Sequence, residues 1–181
     1  MRPGLDFDPS DEERAWSLLT RDDPAQRSTS MMTDDVEHRR RDYDSAVADL
    51  GRDFTSGTAA ANGTTIHYVR GGGGPALVLL HGFPQDWFEW RRLMPRLAES
   101  FSVIAIDLRG VGGSAAPSDG YAAADLAEDV YQFLGALRVD RAHIVGHDIG
   151  GWVAYAFTRL HSQSTSTLLI METPIFGIEP F

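Results

Sequence analysis

A chain of 181 residues with 43% apolar content has room for one domain with a full core, or one domain and a tail. Its net charge of -10 works against nucleic acid or an anionic membrane as partner, because both need clustered cations. Cysteine is absent, which excludes disulfides, thiol nucleophiles and thiolate metal sites together.

The N-terminus lacks the charged-then-apolar pattern of a secretory leader, and no apolar run reaches the roughly 18 residues of a membrane span. The cytoplasm is therefore the expected compartment. Residues 1–54 hold about half of the acidic side chains and little apolar material, and read as an acidic tail, partly helical or disordered. Within it, Ser10 and Glu13 have capping-box spacing ahead of a short helix carrying Trp16, Leu18 and Leu19. After Asp23-Pro24, the positions Val36, Tyr43, Val47 and Leu50 fall at helical spacing, and this helix is expected to lean on the main domain, residues 55–181.

Thr65 to Val69 reads as a strand, Gly71 to Pro75 as a hairpin loop, and Ala76 to Leu80 as a strand buried on both faces. The glycine run is not a phosphate loop, because it precedes a strand and neither a helix N-terminus nor a Lys follows it. An amphipathic helix is predicted from about Asp86 to Glu99, then a strand from Phe101 to Ile106 ending at Asp107. Gly110, Gly112 and Ala115 have the spacing of a dinucleotide fingerprint, but the loop Ala116 to Gly120 follows where a helix would have to open. No cofactor and no metal is expected. Leu126, Val130, Phe133, Leu134 and Leu137 define one apolar face of a helix. A last strand is predicted over Thr167 to Met171. Strands alternating with helices predict an α/β fold, a mostly parallel sheet covered by helices on both faces.

The stretch that carries chemistry is Gly146-His147-Asp148-Ile149-Gly150-Gly151. The β-branched run His143-Ile144-Val145 leads into it and a helical segment, Trp152 to Arg159, leaves it. Strand, tight glycine turn and helix is the context of a nucleophile elbow, whose apex side chain is pushed out above the sheet. The apex here is Asp148, which points to a carboxylate nucleophile and an ester intermediate. His147 alternates to the other side of the strand and reads as structural.

With His81-Gly82-Phe83-Pro84 and Asp107-Leu108-Arg109-Gly110, this elbow makes the chain resemble the α/β-hydrolase superfamily, and within it the epoxide hydrolase and dehalogenase branch. The resemblance runs from about Thr58 to Ile178. It implies that Asp148 attacks a small electrophile such as an epoxide, and that the backbone N–H groups of Phe83 and Ile149 form the oxyanion hole. It also places Trp87 and Trp152 near the substrate. The halide donors of haloalkane dehalogenases would fall at Phe83 and Ile149, and the carboxylate-binding Arg residues of fluoroacetate-type dehalogenases at Ile149 and Trp152, none of which matches, so epoxide opening leads. A dehalogenase or esterase relative, or a non-catalytic hydrolase-like domain that binds a ligand, are the alternatives.

Such enzymes take their base from a late His and often their acid from a late Asp or Glu. After Asp148 the sequence has only His161, expected to cap or lie in solvent at the end of the elbow helix. Glu172 follows the last strand, where some haloalkane dehalogenases keep the acid. The cap and the base are therefore expected to be absent, leaving an N-terminal portion of the fold with little turnover and an exposed apolar edge at the last strand.

Overall fold

The register of the central strands determines where every loop emerges. The computed structural model describes residue 43 and residues 45–174. Its strands are β1 (Thr55–Ala61), β2 (Thr64–Gly71), β3 (Ala76–Leu80), β4 (Ser102–Ile106), β5 (Ala142–His147) and β6 (Thr165–Met171). They form one sheet in the order β1-β2-β4-β3-β5-β6. β4, β3, β5 and β6 are parallel neighbours, whereas β1 and β2 join antiparallel at one side. Leu80 at the end of β3 stands opposite both Ile106 and Gly146, so the segments starting at His81, Asp107 and Asp148 leave the sheet close together at its carboxyl edge.

Strict alternation along the strands divides the core into two. Val78, Leu80, Ile104 and Ile106 face one layer, with Leu126, Val130, Phe133 and Leu134 of helix Ala123–Ala136 and Val153 and Phe157 of the elbow helix Ile149–Leu160. Leu77, Leu79, Val103 and Ala105 face the other, with Trp87, Trp90 and Met94. Residues 45–50 are helical, and Val47 is buried in this second layer with Tyr43 and Leu50 against it. The sheet is thus covered on both faces, as the sequence predicted. Val36 and the capping box at Ser10 lie outside the described residues. Among the described residues no helix is long and apolar enough to cross a membrane.

Three elements differ from the sequence-based expectation. Gly71 to Gly74 do not close a hairpin: β2 pairs with β1 and β4, and the chain crosses to β3 beyond β4. The true hairpin joins β1 to β2 through Asn62-Gly63, both at positive φ (46° and 72°), the primed turn that matches strand twist. The segment after Asp86 is two short pieces, a 3₁₀ helix Trp87–Arg92 and an α-helical turn Met94–Leu97, with Pro95 at the junction. Pro95 cannot donate an N–H to the preceding turn, so a single continuous helix is broken there.

A buried ion pair ties the β1–β2 turn to helix Ala123–Ala136. Arg109 grips Asp129 through Nε to Oδ2 at 2.8 Å and Nη2 to Oδ1 at 2.6 Å, with Asn62 Nδ2 donating to the same Oδ1 at 2.9 Å. Both partners are buried. The hydrogen bond to Asp129 holds the guanidinium above its ordinary pKa against the opposing effect of burial. Asp129→Ala strands a charge in the core, and is expected to cost about 3–5 kcal/mol in urea denaturation. The apolar double variant Arg109→Met/Asp129→Leu should lose less than that single variant.

Candidate active site

Between His147 at the end of β5 and Ile149 at the start of the elbow helix stands one residue, Asp148, with φ 50° and ψ −120°. Side chains rarely tolerate this backbone. The turn is held from both sides. The Asp148 N–H donates to the Met171 carbonyl at 3.1 Å, and the Asp148 carbonyl accepts from the Gly151 N–H at 2.9 Å and the Thr173 hydroxyl at 2.8 Å. The flanking glycines answer a steric demand: a Cβ on Gly146 would strike the backbone of Gly150, and one on Gly150 the carbonyls of Leu80 and His81. Strand and helix therefore cross in near-backbone contact, and Asp148 is left half-buried at the apex.

The loop after β3 lies directly over this apex. The Phe83 N–H donates to Asp148 Oδ2 at 2.9 Å. A Cβ on Gly82 would stand 2.9 Å from Asp148 Cβ and 2.8 Å from His147 Nδ1, so only glycine lets the loop approach this closely. The Phe83–Pro84 peptide bond is cis. Ile149 is the first residue of the elbow helix, so its N–H has no acceptor one turn earlier and is available at the same end.

Two buried groups set the loop's foundation. His81 is fully buried; its Nδ1–H donates to the Gly82 carbonyl at 2.8 Å while Nε2 accepts the Leu108 N–H at 3.0 Å, which defines one neutral tautomer. Asp107, also fully buried, accepts the Trp87 N–H at 2.7 Å, the Gly113 N–H at 2.8 Å and His67 Nδ1 at 2.8 Å. The segments after β3 and β4 are thereby fastened to one another and to β2.

The remaining expected residues fall in several places. Trp87 is fully buried, edge-on to Tyr43 at 6.0 Å, and reaches the site's framework through its backbone rather than offering an open ring to a ligand. Trp152 is on the elbow helix, its indole N–H donating to the Pro174 carbonyl at 2.8 Å. The Ile149 side chain is packed in the core, and Phe83 is 45% exposed. His161 is the C-cap residue of the elbow helix, stacked on Tyr131 at 3.9 Å and 3.2 Å from Glu128. Glu172, at φ 54°, follows β6 at the carboxyl edge, next to the Met171 carbonyl that holds the elbow.

Sequence reasoning passed over Glu89 and Thr173, which reach His147 and Asp148 far along the chain. Glu89 Oε2 accepts the Gly82 N–H at 2.8 Å, and its Oε1 is 2.6 Å from His147 Nδ1. Nothing local marked either residue, apart from the placement of Glu89 in the first turn of a helix capped by Asp86. Among the described residues no group of three or more potential metal ligands comes together.

A mixed sheet with a strained Asp elbow under a glycine-bearing loop defines an α/β hydrolase. The chain belongs to that family: the family described as alpha/beta hydrolase fold matches residues 75–181. It is 42% identical over 123 residues to the soluble epoxide hydrolase of Corynebacterium sp. (strain C12), covering 68% of this chain and 43% of the relative. It is 40% identical over 113 residues to a fluoroacetate dehalogenase of Burkholderia sp, covering 60% and 37%. Among solved structures, the epoxide hydrolase CorEH matches with a TM-score of 0.65 at 42% identity, over 71% of this chain and 46% of that one. The epoxide hydrolase VrEH1 of Vigna radiata matches with a TM-score of 0.67 at 27% identity, over 71% and 41%. The chain spans less than half the length of these relatives.

The close crossing at the elbow yields a stability prediction. Gly146→Ala must separate β5 from the elbow helix, and is expected to cost about 1–3 kcal/mol by chemical denaturation. An exposed glycine with open space around it, Gly73, is expected to accept Ala with a much smaller change.

Proposed function

We propose that Asp148 is the nucleophile of an epoxide-hydrolase reaction, acting on a small-molecule epoxide. The observation that carries this reading is the apex carboxylate itself, held at φ 50° with one oxygen, Oδ2, already on the Phe83 N–H. Its other oxygen attacks an epoxide carbon: a C–O bond forms to Asp148, the ring C–O bond breaks, and the freed alkoxide takes up a proton from solvent water. Water then adds to the carbonyl carbon of the resulting ester. Oδ2 becomes the oxyanion, stabilised by the Phe83 and Ile149 N–H groups, each such donor being worth about 3–4 kcal/mol in comparable enzymes. The added water gives up a proton to solvent, and collapse breaks the acyl C–O bond, the departing oxygen taking a proton back, which returns the carboxylate and releases a diol. The likeness to the Corynebacterium epoxide hydrolase supports this choice of electrophile. So does the side-chain chemistry at Phe83 and Ile149, which offers no donor to a leaving halide.

The test is direct. Incubation with an aryl epoxide is expected to add the mass of the epoxide to the protein, at a peptide containing Asp148, with diol release much slower than adduct formation. Asp148→Asn should abolish both. Halide release from fluoroacetate or a haloalkane, with no reaction towards epoxides, would move the site to the dehalogenases. An unmodified wild-type protein that turns over neither class would leave a hydrolase-like binding domain.

A further inference from the structure

We propose that Glu89 is a positioning residue that sets the separation between the nucleophile and its oxyanion donor. This inference rests on the proposed function. Glu89 comes from the 3₁₀ helix Trp87–Arg92 and its carboxylate reaches two groups on different segments. One oxygen accepts the N–H of Gly82, the residue before Phe83, at 2.8 Å. The other is 2.6 Å from Nδ1 of His147, the residue before Asp148. A single side chain thus hydrogen-bonds the loop after β3 and stands at ion-pair distance from the last residue of β5, without hydrogen-bond geometry to it, each contact one peptide unit away from a reacting group.

The surroundings leave little slack in this bridge. The side chains of Glu89 and His147 are 17% and 26% exposed, so water competes weakly for either contact. Below the bridge, His81 fixes the Gly82 carbonyl while Glu89 holds the Gly82 N–H, so both faces of that peptide segment are pinned. The plain structural alternative is that Glu89 merely places negative charge in the first turn of its helix, where the backbone dipole favours it. The two roles separate by chemistry. A dipole needs charge and tolerates a shorter side chain; a bridge needs length and two polar ends. Gln keeps the length and two polar ends, its carbonyl able to accept from Gly82 while its amide faces His147 Nδ1. Asp keeps the charge and is too short to span.

The experiment compares wild type with Glu89→Gln, Glu89→Asp and Glu89→Ala. It measures the rate of adduct formation on Asp148 by intact mass at saturating aryl epoxide, the half-saturating concentration, and hydrogen exchange at the Gly82 and Phe83 amides. Positioning predicts that Asp and Ala slow adduct formation about ten- to a hundredfold with the half-saturating concentration unchanged, while Gln stays near wild type. In the same variants Gly82 exchange should quicken for Asp and Ala but not Gln. Wild-type rates in Asp and Ala, or a loss in Gln equal to that in Ala, would overturn the proposal. A wild type that forms no adduct overturns the epoxide reading instead. Exchange then decides the bridge alone: the Asp and Ala pattern upholds it, and equal exchange in all four proteins overturns it.

Discussion

The constraint on which this site depends is the backbone of Asp148. A non-glycine residue in this region costs about 1–3 kcal/mol, and it persists only where its surroundings leave it no relaxed alternative. Here they do not. The N–H and C=O of Asp148 are both engaged, by Met171 on one side and by Gly151 and Thr173 on the other. The Thr173 hydroxyl is also 3.0 Å from Met171 O, its single hydrogen lying between the two carbonyls, so the end of β6 and the elbow form one unit. Relaxing φ at Asp148 would break several hydrogen bonds and push the elbow helix off β5. The function of the strain is directional: the carboxylate rises above the sheet instead of lying along it.

The second requirement is that the loop above the carboxylate stay rigid, and buried polar groups supply this. Asp107 has no exposure and accepts from two backbone N–H groups and one imidazole, a satisfied site that would be costly to leave half-filled. Its partner His67 is in turn 2.8 Å from Ser56 Oγ and stacked on Tyr43 at 5.2 Å. The network therefore runs from the β1–β2 hairpin through Asp107 to the helix that carries Glu89. The loop after β3 inherits its position from this framework and from the register that sets Leu80 beside Ile106 and Gly146. Because β3 feeds a segment on one face and β5 a helix on the other, their loops diverge at the topological switch of the sheet, where α/β folds place their ligands.

Much of this was legible in the sequence because it was local. A β-branched strand, clustered glycines and an apolar helix face specify the elbow within fifteen or so residues, by sterics alone. The apolar runs of β3 and β4 announced burial on both faces by the same logic. What escaped reading depended on partners far along the chain. The strand β1, rich in Ala, Gly and Thr, has weak strand propensity and exists because β2 pairs with it, although Asn62-Gly63 was a local signal for their hairpin that went unread. The glycine run misled in the opposite way: its composition is right for a hairpin, and only the insertion of β4 beside β2 makes it a crossover. Trp87 reads as a pocket residue by resemblance and as a core aromatic from its place on a helix, and in the structure its side chain is fully buried. Glu89 looks like any solvated acid on a short helix until the fold brings Gly82 and His147 to its two oxygens.

The bond between Phe83 N–H and Asp148 Oδ2 also bears on how such a site discriminates between states. In the resting carboxylate the charge is shared by two oxygens, and the N–H meets only part of it. During ester hydrolysis in the proposed reaction, the charge localises on the oxygen the N–H already faces, so the same 2.9 Å contact strengthens without any atom of the protein moving far. An interaction that grows along the reaction coordinate lowers the barrier, whereas one equally strong at the start would only deepen the ground state. This places a tight demand on the loop: a donor drifting by an ångström loses the geometry on which that gain depends. The cluster of contacts beneath it, His81 on the Gly82 carbonyl, Glu89 on the Gly82 N–H and Asp107 on the Trp87 N–H, is the physical answer to that demand.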